Sequence, residues 1–312
     1  MGKNLEKSTL GFQEKLGYAT ISVADNLRTS FKGTFMLFFG TNVLGIRPGL
    51  MSIISSIVVI WDAINDPLMA YYADSHPNRN GDRCRQYLFA GIPQGIIGSL
   101  MFVRFSQNPI TSALIILLLS ILYDVFATMH RLPFFSMMIL VSPKERDRIT
   151  VNQWHFFGTG IGTAMGSLLM WPLVRLFGGV DGSGNLINPE KGFFLGSLIV
   201  AAVLIACSFH HYFTTQERVR PQNTNNIPFL EAFKILFRNM KFRRNVLTYF
   251  FISIIPSATL SYALYYATYV LRQPGMLTAL NAVYLVSNLI IVFFLDKYTA
   301  FSAVSMPGCL RT

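Results

Sequence analysis

The chain has 312 residues, 52% of them hydrophobic and 13% charged, with a formal net charge of +11 and a mean hydropathy of +0.43. Soluble domains carry about a quarter charged residues, so a water-soluble domain does not fit. The basic excess reads as a signal of membrane topology and not of nucleic-acid binding. The expectation is an all-α, polytopic membrane protein with about eight spans, each needing roughly 20 mostly apolar residues.

The N-terminal stretch to Leu16 is polar and carries Lys3, Lys7 and Lys15. It has no apolar run ending in a small-residue cleavage site, so the first span, 18–45, reads as a retained helix and not a signal peptide. On that span Asp25, Arg28 and Lys32 share a helical face, either as an internal charge cluster or as groups facing a substrate.

The second span, 48–73, contains Trp61-Asp62-Ala63-Ile64-Asn65-Asp66-Pro67. A charge at that depth costs roughly 2.5–3.5 kcal/mol on insertion scales. Asp62, Asn65 and Asp66 fall at i, i+3 and i+4, so two carboxylates and an amide point into one space. Hard oxygen ligands suit a small cation or protons, either of which relieves the repulsion between the carboxylates. Ion pairing to basic residues on another span is the alternative.

Further spans are expected at 87–106, 110–142, 151–177, 192–213, 246–271 and 276–295. Gly158, Gly162 and Gly166 recur every fourth residue, the small-residue spacing of close helix packing. His210 and His211 read as interfacial, and most Phe and Tyr residues as lipid-facing or belt residues. Lys3, Lys7, Lys15, Arg79, Arg83, Arg85, Lys144, Arg146, Arg148 and the basic residues from Arg218 to Arg244 lie on one side of this topology. Only Arg47, Arg104, Arg175, Lys191 and Arg272 lie on the other. The excess assigns the first side, with the N-terminus, to the cytoplasm.

The longest connection, Thr214 to Asn245, is polar, and its second half alternates apolar and basic residues like an interfacial amphipathic helix. It divides the chain into a six-helix transmembrane bundle at 1–213, a cytoplasmic linker at 214–245, and the first two helices of an incomplete second bundle at 246–312. Six spans, a cytoplasmic linker and further spans are the plan of major facilitator carriers, built from six-helix halves around a midplane site. Two spans in the second half lead to the expectation of a fold truncated to about eight helices.

At the level of motifs the sequence resembles the glycoside-pentoside-hexuronide:cation symporter family, the melibiose-carrier branch of the major facilitator superfamily. The matching pieces are Gly17-Tyr18 with Asn26 on the opening helix, the signature at 61–67, and the turn from Ala73-Asp74 to Asn78-Arg79-Asn80-Gly81-Asp82-Arg83. Further on come Leu132-Pro133-Phe134-Phe135-Ser136, Lys144-Glu145-Arg146-Asp147-Arg148 and Phe156-Phe157, so that coverage runs from about Leu16 to Asp296.

The resemblance implies that Asp62, Asn65, Asp66 and Thr128 bind a coupling cation, Na⁺ or H⁺, and that Asn26 contacts sugar hydroxyls. It implies a gating turn at Asp74, Arg79, Gly81 and Arg83. The sequence departs from the family at two positions. Arg131 stands where the family usually has an Asp, and His155 where it usually has an Arg. Arg131 either takes the electrostatic place of the coupling cation beside Asp62 or Asp66, or joins Lys32 and His155 in facing an acidic sugar, since a guanidinium binds carboxylate bidentately.

The expected function is secondary active transport of a glycoside, pentoside or hexuronide by alternating access in the cell membrane. The alternative is a transport-inactive fragment of such a carrier. The expected partners are a small-molecule sugar and the lipid bilayer, with no nucleic acid, no obligate protein partner, no catalytic residues and no cofactor beyond the co-transported ion.

Overall fold

The structure, a computed structural model, describes residues 10–76, 84–182, 186–219 and 229–273, with a few further helical positions between 276 and 287. Its helices are α1 (Phe12–Phe38), α2 (Pro48–Ser75), α3 (Gly91–Leu100), α4 (Pro109–Leu140), α5 (Glu145–Ala164), α6 (Met170–Gly178), α7 (Pro189–Thr214), α8 (Phe229–Arg238) and α9 (Met240–Tyr265).

Three stretches, Pro48–Ala73, Pro109–Leu140 and Pro189–Thr214, are long and apolar enough on their own to cross a membrane. They correspond to the expected second, fourth and sixth spans. Each opens with a proline in the first turn, where the missing N–H costs nothing. Asn108 and Asn188 cap α4 and α7 by accepting from Ile110 N (2.9 Å) and Lys191 N (3.1 Å).

The remaining spans are composite. α1 continues through a π turn at Phe39–Val43, a 3-10 turn at Arg85–Ala90 leads into α3, and α5 joins α6 through a π turn at Met165–Leu169. α9 likewise ends in a π turn at Tyr266–Val270. Most of the expected eighth span, 276–295, lies outside the described residues.

α1 is the hub. It packs along α5 and α7 and also touches α9, while α2 pairs with α4, and α3 lies against α4 and α7. The α1–α5 crossing needs the glycines. A Cβ at Gly158 would strike the carbonyl of Ala19, one at Gly162 that of Val23, and one at Gly166 the Ser30 side chain. Backbones approach this closely only where one helix presents no side chain.

One end of the bundle is filled by Phe31, Phe35, Phe39, Phe102, Trp171 and Phe193, with ring centroids 5.0–5.9 Å apart in successive contacts. These rings form core, whereas many of the other described Phe and Tyr residues, among them Phe156, Phe157, Tyr249 and Phe250, lie on the outside of the bundle as expected of lipid-facing residues. His211, in the last turn of α7, is fully buried against Tyr18 (4.8 Å) and Phe134 (5.5 Å).

At the other end the residues after α7 fold back over the helix termini. Arg218 N and Val219 N both donate to Leu140 O (3.1 and 2.9 Å), and Arg218 pairs with Glu14. Glu217 Oε1 accepts from Cys84 N and Arg85 N, each at 2.7 Å. Arg85 in turn donates to Tyr212 O and stacks over the Tyr212 ring at 4.4 Å. The segment 215–219 is thus a strap joining α1, the start of the α3 span, and α4.

Candidate functional site

Polar residues converge where α1, α2, α3 and α4 face one another. Asp66 sits one residue before Pro67 inside α2, and Arg131 two residues before Pro133 inside α4. Each proline removes a helical N–H and frees the carbonyl four residues earlier, so both helices run on unbroken but each lacks one backbone hydrogen bond beside its charged group.

Asp66 is the junction. Thr128 Oγ1 donates to Asp66 Oδ1 at 2.8 Å, and Arg131 Nη2 lies 3.5 Å from Oδ1 and 3.2 Å from Oδ2. Thr128 and Arg131 are three residues apart, one helical turn, so both reach the same carboxylate. Thr128 is fully buried, whereas the Arg131 and Asp66 side chains are 37% and 33% exposed. Asn65, also buried, donates through Nδ2 to the backbone carbonyl of Asp124 at 3.2 Å and so ties α2 to α4. Asp62 lies one turn before Asp66, and among the described residues no hydrogen bond or ion pair joins it.

A second set lies between α1, α3 and α4. Arg28 Nη2 is 2.5 Å from Asp25 Oδ1, and Arg28 Nη1 hydrogen-bonds the Tyr123 hydroxyl. With the Gln94 amide turned to present its oxygen, it accepts from Arg28 Nη1 and Nε at 3.0 and 3.1 Å. Lys32 Nζ pairs with Asp124 Oδ1 at 3.1 Å and lies 4.2 Å from the centre of the Tyr123 ring. The described spans therefore contain three ion pairs, Asp25–Arg28, Lys32–Asp124 and Asp66–Arg131, with Asp62 left over.

The two other residues expected to contact sugar lie on the α1–α5 seam. Asn26 Nδ2 donates to Ser22 O (2.9 Å) and to Thr159 Oγ1 (3.1 Å), leaving its carbonyl oxygen as the uncommitted group. His155 Nδ1 meets Ser22 Oγ at 2.7 Å, and Ser22 Oγ donates to Tyr18 O at 2.6 Å. Because the one hydroxyl proton is used on Tyr18 O, Nδ1 carries the ring proton, and Nε2 is the acceptor of the neutral imidazole.

The structure thus brings Asp62, Asn65, Asp66, Thr128 and Arg131 to one α2–α4 junction, with Lys32 beside it through Asp124, and holds Asn26 and His155 on α5's side of α1. Of the expected gating turn, Arg79, Gly81 and Arg83 lie outside the described residues, and Asp74 is placed only as a position in the last turn of α2. Sequence reasoning assigned no role to Gln94, Tyr123, Thr159 or Ser22. A glutamine in the apolar third span, and the Tyr123-Asp124 pair inside a 32-residue apolar helix, were the available signals.

Apolar spans that pair their embedded charges with one another have the pattern of an integral membrane protein, because ionisable groups within spans are costly unless paired. The chain belongs to the MFS/sugar transport protein family, whose family model matches residues 17–300. It is 27% identical to the inner membrane symporter YicJ of Escherichia coli K12, over 92% of this chain and 60% of that protein. It is 25% identical to the isoprimeverose transporter of Lactiplantibacillus pentosus, over 82% of this chain and 56% of that protein. To the raffinose carrier protein of Pediococcus pentosaceus it is 22% identical, over 90% and 44%.

These relatives agree with the glycoside-pentoside-hexuronide symporter resemblance read from the motifs. The family match makes the chain an integral protein of the cell membrane, and the relatives themselves are named as symporters and transporters. The chain spans about half to three fifths of the length of the first two relatives.

Proposed function

We propose that the chain carries a glycoside, pentoside or hexuronide across the cell membrane by alternating access, with its N-terminus in the cytoplasm. The observation that carries this reading is the pair of polar seams meeting at α1: Asn26 and His155 toward α5, and the Asp66 junction with Lys32–Asp124 toward α2 and α4. Sugars are recognised by groups that both donate and accept, and the Asn26 carbonyl and His155 Nε2 are the acceptors on this wall. Asp62, Asn65, Asp66 and Thr128 form the ion site coupled to it. The 1–213 bundle, the 214–245 linker and the helices after it serve as the two sides and hinge of the rocking motion.

Uptake of radiolabelled isoprimeverose, raffinose and a hexuronide into vesicles containing the 312-residue chain tests this. Saturable uptake of one of them, inhibited by unlabelled sugar, supports it. The partial coverage of the relatives favours a second reading, in which these residues alone do not transport. Uptake no greater than in empty vesicles selects that one.

A further inference from the structure

The α2–α4 junction already holds a positive charge. We propose that Arg131 is the resident cation of this site, so that Asp66 pairs with a guanidinium built into the chain and the site does not take up Na⁺. This rests on the reading of the junction as the carrier's ion site.

The geometry assigns each ligand. Both Asp66 oxygens lie within 3.5 Å of Arg131 Nη2, and Oδ1 also accepts from Thr128 Oγ1 at 2.8 Å. Thr128 spends its one proton on the same carboxylate that pairs with Arg131. Of the oxygens near Asp66, the Asp124 carboxylate is committed to Lys32, and Asn65 is anchored through its nitrogen to Asp124 O with its own oxygen left over. A hard cation is held by several oxygens. At this junction the one carboxylate among the described residues without a partner is Asp62, and an ion beside it would approach the guanidinium at close range, where like charges repel.

The charge count agrees. Of the three cations Arg28, Lys32 and Arg131 embedded in the described spans, two are neutralised by carboxylates other than those of α2, Arg28 by Asp25 and Lys32 by Asp124. Arg131 is the one left to balance the α2 carboxylates, and it does so from the helix turn that also carries Thr128.

The test is a titration of the purified full chain in nanodiscs with radiolabelled Na⁺, without sugar. The wild type is expected to show no saturable binding. Arg131→Gln and Arg131→Asp gain saturable binding, with retained radiolabel at least about tenfold above wild type, and adding Asp66→Asn abolishes the gain. Arg131→Lys, which keeps the charge, stays indifferent to Na⁺.

Saturable Na⁺ binding by the wild type that Asp66→Asn removes would overturn the proposal, and this arm needs no folded Arg131 variant. Folded Arg131→Gln and Arg131→Asp chains as indifferent to Na⁺ as the wild type would overturn it as well, since the guanidinium would then not be what excludes the ion. Because no sugar is involved, a chain that takes up no sugar counts against the transport reading alone.

Discussion

Arg218 grips Glu14 with both terminal nitrogens, at 2.6 and 2.9 Å, although 204 residues separate the two. The Glu14 side chain is 7% exposed and that of Arg218 44%. Truncating the arginine therefore strands a buried carboxylate, while truncating the glutamate strands a cation that water can reach. Arg218→Ala is expected to destabilise the chain by about 1–2 kcal/mol, reduced from a fully buried pair by that exposure. Glu14→Gln should cost less. The check is a double-mutant cycle of thermal unfolding in detergent, in which the two losses fail to add.

The same pair sets a pH expectation. The hydrogen bond to Glu14, aided by its charge and opposed by burial, raises the Arg218 guanidinium above its ordinary range. A cation whose folded pKa is raised contributes stability that is complete below the unfolded value and is lost only as pH climbs through the folded one. From about pH 7 to about pH 10 the unfolding midpoints of wild type and Arg218→Ala should therefore stay a constant distance apart. A gap that closes within that range would mean the strap is held by something other than this ion pair.

The glycines of α5 predict opposite outcomes within one turn. A methyl group at Gly158 or Gly162 meets an α1 carbonyl, so either alanine variant should lose about 1–3 kcal/mol by forcing the helices apart. At Gly160 nothing lies within 4 Å of the added carbon, and alanine there should be neutral or gain up to about 1 kcal/mol of helix propensity. Comparison of the three melting curves separates close packing from a general effect of side-chain addition.

How much of this was legible beforehand depends on how far apart the interacting residues lie. Asp62, Asn65 and Asp66 share a face because helical periodicity alone puts them there, and the glycine spacing of α5 is readable for the same reason. That Arg131 would meet an α2 carboxylate was foreseeable, since an embedded cation must find an anion. The choice of Asp66 over Asp62 was not, because it depends on the helix register between α2 and α4. Lys32 was readable as part of a charge cluster or as a group facing substrate, but its pairing with Asp124, 92 residues away, was not. Glu217 and Arg218 were unreadable. A polar segment after an apolar helix looks like solvated linker, and only the backbone pairing with Leu140 turns it into a strap.

The Arg28 cluster should be the most sensitive of the charged groups. Arg28 is buried and held by Asp25, the Tyr123 hydroxyl and the Gln94 amide. Asp25→Asn leaves its charge uncompensated at a cost of about 3–5 kcal/mol. Tyr123→Phe removes one hydrogen-bond acceptor, for about 1–3 kcal/mol. Yield of folded protein after solubilisation, with unfolding midpoints for what survives, should rank Asp25→Asn below Tyr123→Phe.

On the proposed sugar wall, Asn26→Ala removes the amide bridging α1 to Thr159 along with its free carbonyl. Sugar uptake is expected to fall by about tenfold or more, the loss of one good hydrogen bond to a bound hydroxyl. Thr159→Val, which removes only the bridge, should cost less. Equal losses from the two variants would locate the effect in helix packing and not in sugar contact.

The Asp66–Arg131 pair also bears on energy supply. A guanidinium bonded into α4 cannot be released on the far side of the bilayer, as an ion taken up from outside can. On the proposal that Arg131 is the resident cation, an inward Na⁺ gradient therefore has nothing to act on at the Asp66 junction, because the charge that balances the carboxylate never leaves the chain.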